Sequence, residues 1–209
     1  MAQINDFLIS RHFNVSADAN DTQYIFWGGG NDIQFAPISN ETLTDEGVKG
    51  QLAVLESTLP FLVTWQISKL MEAGATNILV MLLQPWSKAP LLNSYSLAQR
   101  QVLDNFTILI NEYIQGNLTA IPHEGINLQF FDTFDLMVQV FDNPGGYGLV
   151  NLTAPCLANW EVFIEGIGGE TPEVCADPDE YFYWDGYGHP TAKVHAVLGS
   201  EVMRFLNWQ

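Results

Sequence analysis

The stretch Trp184-Asp185-Gly186-Tyr187-Gly188-His189-Pro190-Thr191 puts a carboxylate ahead of an imidazole, across two glycines that let the chain turn back. A carboxylate against one imidazole nitrogen sets the tautomer and stabilises the imidazolium. The other nitrogen is then free to take a proton from a nucleophile. Pro190 has no N–H and a fixed φ, so it is expected to open the last helix, with His189 at the cap position and its ring free to face a cleft. Asp185 and His189 are then two thirds of a triad. A plainer reading makes His189 a helix cap and Asp185 a turn former.

A second candidate is Gly28-Gly29-Gly30-Asn31-Asp32, which follows the apolar run Tyr24-Ile25-Phe26-Trp27. An asparagine amide at a strand end, with a glycine N–H beside it, can donate to the oxyanion of a tetrahedral intermediate. One such donor is worth about 3–4 kcal/mol of transition-state stabilisation. Taken alone, Gly30 and Asn31 are an ordinary turn.

The elements that must position these residues follow from periodicity. Ile4, Phe7, Leu8 and Phe13 suggest a short amphipathic helix. Residues 24–27 read as a buried strand. A helix over 45–73 carries Val48, Leu52, Leu55, Leu59, Leu62, Ile67, Leu70 and Met71 at helical spacing, with a kink expected at Pro60 and a stop at Gly74. Residues 77–83 form a second buried strand. Ser96 and Gln99 form a capping box, and the helix they open presents Leu103, Phe106, Leu109, Ile110, Tyr113 and Ile114. Residues 126–131 make a third strand and 133–141 a short helix. Residues 143–183 look irregular, and the last helix runs through Val194, Leu198, Val202 and Phe205. Strands alternating with helices predict a parallel sheet in an α/β layer fold, with reactive residues at the carboxyl ends of strands.

The 209 residues suffice for one domain with a sizeable core, and 47% hydrophobic content argues against disorder. The formal charge of −17 disfavours nucleic acid and anionic membrane surfaces as partners. No apolar run is long enough to span a bilayer. The first residues carry no basic stretch followed by an apolar one, so they are not a signal peptide. The body nevertheless reads as secreted. Asn-x-Ser/Thr sequons occur at Asn14, Asn20, Asn40, Asn105, Asn117 and Asn151. Cys156 and Cys175 flank an acidic, glycine-rich loop, where a disulfide would fit an oxidising compartment; two free buried thiols are the alternative. His12, His123, His189 and His195 show no metal-ligand spacing, and neither a metal nor a cofactor is expected. The glycine run lacks the Lys-Ser/Thr of a phosphate loop. Trp86 is read as loop packing, Trp184 as buried support for Asp185, and His195 as structural.

In chain order these pieces resemble the GDSL or SGNH hydrolase family of serine esterases and lipases, closest to the secreted branch that includes fungal carbohydrate acetylesterases. Gly28-Gly29-Gly30-Asn31-Asp32-Ile33 is similar to that family's third block, and Trp184-Asp185 with His189-Pro190-Thr191 to its last. The resemblance implies a three-layer α/β/α, flavodoxin-like fold, with His189 as base, Asp185 as its orienting acid, and Asn31 and Gly30 at the oxyanion hole. It departs in two ways. The Asp–His spacing is one residue longer than the usual pattern, which puts the reach of Asp185 to His189 in question. The Gly-Asp-Ser-Leu block with the nucleophile is absent, as no serine here has that context. The resemblance therefore covers the last two thirds of the family's domain over residues 1–209, without the first strand. The expectation is an ester hydrolase acting on a small-molecule or polysaccharide ester, secreted in its parent form and inactive as this chain. The alternatives are a non-catalytic secreted glycoprotein that binds glycan through the aromatics Trp160, Phe163, Tyr181, Phe182, Tyr183, Trp184 and Tyr187, and a short product whose sheet is completed by dimerisation. Oligomeric state is not legible.

Overall fold

Asn77-Ile78-Leu79-Val80-Met81 is the most uniformly apolar strand, and it becomes the middle of a parallel sheet. In the computed structural model, which describes residues 22–34, 45–159 and 173–207, this strand (β2, Asn77–Met81) lies between β1 (Gln23–Trp27) and β3 (Asn127–Phe131). Gln23 is in register with Asn77, and Asn77 with Asn127. Consecutive side chains of a strand point to opposite faces. Ile78, Leu79, Val80 and Met81 are all buried, so both faces of β2 are covered, as a parallel sheet requires. The chain is an α/β protein with parallel sheets, in keeping with the expected α/β/α layering.

Two compact units divide the chain, one drawn from Met1–Leu83 and Phe106–Asp132, the other from Gln84–Asn105 and Thr133–Gln209. The first holds the three-stranded sheet. Its short helix α1 (Gly30–Gln34) follows β1, and its long helix α2 (Asp45–Glu72) contains Pro60. The end of α2 is fixed by Gly74 in left-handed backbone, φ 92°. Gly74 N donates to Met71 O and Ala75 N to Leu70 O, the paired bonds that close a helix through glycine. Ser96 and Gln99 cap α3 (Leu97–Ala120) reciprocally, Ser96 N to Gln99 Oε1 at 2.8 Å and Gln99 N to Ser96 Oγ at 3.3 Å. Leu103, Phe106, Ile110, Ile114 and Leu118 form its buried stripe.

The second unit holds α4 (Thr133–Asp142), a two-stranded parallel sheet of β4 (Asn151–Pro155) and β5 (Tyr181–Tyr183), and α5 (Ala192–Phe205). Cys156 and Cys175 are joined in a disulfide.

Five expectations need correction. β1 is not buried throughout: Ile25 is 48% and Trp27 37% exposed. It stands at the end of the strand order, and these two residues share one face. Tyr113 is exposed, because it falls off the stripe that Ile110 and Ile114 define. The segment 143–183 is not wholly irregular: β4 pairs with β5 across a long sequence gap, leaving no local signal. Pro190 does not open the last helix, nor does His189 cap it. Thr191 is the N-cap, its hydroxyl accepting from Val194 N, and Pro190 bridges Tyr183 instead. Trp184 is exposed rather than buried. The helix expected at Ile4–Phe13 lies outside the described residues, as do Trp160, Phe163 and the sequons at Asn14, Asn20 and Asn40.

Candidate active site

The histidine loop grows from β5. Phe182 is fully buried and packs on Phe141 with ring centroids 4.4 Å apart. Tyr183 lies beside it, buried, and its hydroxyl is pushed far up from the ordinary tyrosine range by burial and then by Asp104. From this anchor the chain leaves and returns antiparallel to itself. Trp184 N donates to His189 O at 2.7 Å and Thr191 N to Phe182 O at 2.9 Å. Thr191 Oγ1 also donates to Tyr181 O at 2.7 Å, so the N-cap residue of α5 is tied to the strand that launches the loop. A second brace comes from the disulfide segment. Cys156 N donates to Tyr183 O, Leu157 N to Trp184 O, and Cys175 N to Cys156 O, at 2.8–2.9 Å.

Residues 185–188 close the loop as a turn, with Gly188 N donating to Asp185 O at 3.3 Å. Gly188 has φ 100°, a conformation that favours glycine. This closure brings Asp185 onto His189 despite the longer spacing. Asp185 Oδ2 is 2.6 Å from His189 Nδ1, and Asp185 Oδ1 accepts from His189 N at 3.2 Å. The Asp185 side chain is 10% exposed and that of His189 58%. An ionised carboxylate can only accept, so opposite one Nδ1 is the donor of this contact. No described residue hydrogen-bonds Nε2. His195, on α5, is close enough to feel His189; burial first, and His189 second, hold its ring below the ordinary histidine range.

The glycine-rich turn belongs to the first unit. Gly29 has φ 94°, and a Cβ there would stand 3.1 Å from Leu59 Cδ1 and 3.4 Å from Leu83 Cδ2. The turn thus lies against α2 and the end of β2, where only glycine fits. Leu83 is itself fixed by Asn111. That buried amide accepts from Leu83 N at 2.8 Å and donates to Leu83 O at 3.1 Å, acting as one more rung of the sheet. Gly30 and Asn31 open α1 rather than forming a loop; Ile33 anchors it with no exposure, while Asn31 and Asp32 face solvent. The Asn31 amide has no hydrogen-bond partner among the described residues.

No described serine hydrogen-bonds His189. Ser57, Ser68 and Ser200 donate to carbonyls of their own helices, and Ser96 caps α3. Ser87 is buried and donates to Asp104, whose carboxyl is raised from its ordinary value by burial, against the opposing pull of Ser87, Lys88 and Arg100. Ser10, Ser16 and Ser39 lie outside the described residues. Among the described residues no His, Cys, Asp or Glu cluster could hold a metal ion, and no helix is long and apolar enough to cross a membrane. Asn105 and Asn117 are exposed on α3, and Asn151 opens β4 with its Oδ1 accepting from Thr153 N and Ala154 N. The aromatic cluster divides: Phe182 and Tyr183 are core, and Trp184 is exposed.

Two supports were missed in sequence. Asn111 bonds to Leu83, 28 positions away, and Leu91 N and Gln84 Nε2 bond to Gly186 O and Gly188 O of the histidine loop; nothing local marks either pairing.

The chain is similar to GDSL esterases and lipases. One from Arabidopsis thaliana is 29% identical over 86 residues, 40% of this chain and 23% of that protein. A second from the same plant is 24% identical over 147 residues, 66% of this chain and 41% of that protein. The thermolabile hemolysin of Vibrio parahaemolyticus is 24% identical over 148 residues, 66% of this chain and 34% of the hemolysin. The matched region is thus between about a quarter and two fifths of these relatives' length. No protein-family model matches the chain.

Proposed function

We propose that this chain carries the acid–base and oxyanion parts of a serine-type carboxylic ester hydrolase. The observation that carries the reading is the 2.6 Å contact of buried Asp185 with Nδ1 of a half-exposed His189 whose Nε2 is unengaged by any described residue. In this reading a serine hydroxyl gives its proton to Nε2 as it attacks the ester carbonyl. Asp185 stabilises the imidazolium, which then protonates the leaving alkoxide. The Asn31 amide and Gly30 N–H donate to the oxyanion. The similarity to GDSL esterases and lipases supports the reaction class, and the substrate is a small-molecule or polysaccharide ester. The disulfide and the sequons support secretion and glycosylation of the parent protein.

No serine of the chain stands in a Gly-Asp-Ser context, so in this reading the nucleophile is not among the 209 residues and the chain alone is inactive or nearly so. Turnover of p-nitrophenyl acetate tests this. The expected result is no saturable turnover by the chain, and saturable turnover, lost on His189→Ala, by a longer product bearing a Gly-Asp-Ser-Leu block. Saturable turnover by the chain that His189→Ala abolishes would place a nucleophile within it. Turnover by the longer product that survives His189→Ala would remove His189 from the reaction.

A further inference from the structure

The step from Asp185 to His189 has three intervening residues, and two of them are fastened to a segment about a hundred positions away. Leu91 N donates to Gly186 O at 2.8 Å. Gln84 Nε2 reaches Gly188 O at 3.5 Å. A Cβ on Gly188 would stand 2.9 Å from Ala89 Cβ and 3.3 Å from Trp86 Cζ3, so the bare Cα of Gly188 lies flat on the Ala89 methyl and the indole. Trp86 is 6% exposed, and its Nε1 is buried without a hydrogen-bond partner among the described residues. A buried N–H left unpaired is unfavourable.

We propose that residues 84–92 are the positioning template of the Asp185–His189 pair. Trp86 and Ala89 supply the surface that holds Gly188 in left-handed backbone, and Leu91 pins Gly186. The template absorbs the extra residue of the loop and sets the angle at which His189 meets its carboxylate. Trp86 is thus a positioning residue that acts on His189 through Gly188. This rests on Asp185 and His189 being the acid–base pair.

The test follows exchange of the His189 Nδ1 proton by NMR in the 209-residue chain, with thermal melting as the control for folding. Trp86→Phe removes the unpaired donor and withdraws the ring edge that carries Cζ3. It should melt close to the unsubstituted chain while Nδ1 proton exchange rises about tenfold, as expected from loosening one hydrogen bond. Ala89→Gly removes a single methyl and should move exchange in the same direction by less; it decides the matter if Trp86→Phe does not fold. Unchanged exchange in folded variants overturns the template. Asp185→Asn separates the two ideas. If it leaves exchange as slow as in the unsubstituted chain, the acid–base reading fails and the template fails with it. If it alone speeds exchange, only the template is lost.

Discussion

The two candidate regions are built on opposite principles. The histidine loop is overdetermined. Its carboxylate is buried, its turn is closed by Gly188, and backbone bonds from the segments around Leu91, Leu157 and Thr191 hold it. The Gly30-Asn31 start of α1 is anchored from below, by Gly29 against Leu59 and Leu83 and by buried Ile33, while the Asn31 side chain stands in solvent. The difference is the one that the two proposed roles require. A general base must hold one tautomer and one angle before any substrate arrives. An oxyanion donor needs only a fixed backbone, with its polar group left unspent for the transition state.

The contrast predicts unequal responses to substitution. In a hydrolase that contains this chain and its serine, Asp185→Asn should lower kcat by about ten-thousandfold, because the wrong tautomer is then favoured. A loss below tenfold in p-nitrophenyl acetate turnover would show that the loop does not need its acid. Asn31→Ala should cost about a hundred- to a thousandfold in kcat, with KM and melting temperature nearly unmoved because the side chain is exposed. A change in melting without one in kcat would make Asn31 a structural residue.

Cys175→Ser should destabilise the chain by about 3 kcal/mol in urea unfolding, the effect of releasing a loop of this length. Because Cys156 and Leu157 bond to Tyr183 and Trp184, it should also speed amide exchange at Trp184 more than at Ile33. Equal effects at both would erase the distinction between a braced loop and an anchored turn.

The smallest effect concerns His195. The folded chain holds its ring below the ordinary value of 6.5, so the unfolded chain binds that proton more readily. Its contribution to stability is present above 6.5 and is lost as pH falls through the folded value. Replacing it with Gln should shrink the drop in melting temperature between about pH 7 and pH 5. An unchanged drop would assign acid sensitivity to other groups.

What could be read from sequence was whatever is encoded locally. The β2 run, the Ser96–Gln99 box, the Gly74 stop and the apolar stripe of α3 each follow from residues within a turn or two of one another. The Asp185–His189 contact was legible for the same reason, since the two residues are four positions apart. Whatever depends on distant pairing was not. β4 finds β5 across the disulfide loop, Asn111 completes the hydrogen bonding of Leu83, and Trp86 bears on Gly188, all without local signal. Pro190 is a strong helix opener in isolation, and its signal masks Thr191 as the N-cap. Here the hydroxyl of Thr191 bonds both to Val194 N and to Tyr181 O, and that pairing moves the helix start past the proline.

The claim on which the proposed function rests is that Asp185 fixes the proton of the His189 ring on Nδ1. Two-bond 1H–15N correlation spectra of the histidines in the 209-residue chain read this directly. The account predicts a protonated Nδ1 and a bare Nε2 for His189, with the pattern lost in Asp185→Asn. A proton on Nε2 in the unsubstituted chain, or a pattern that Asp185→Asn leaves intact, would contradict it.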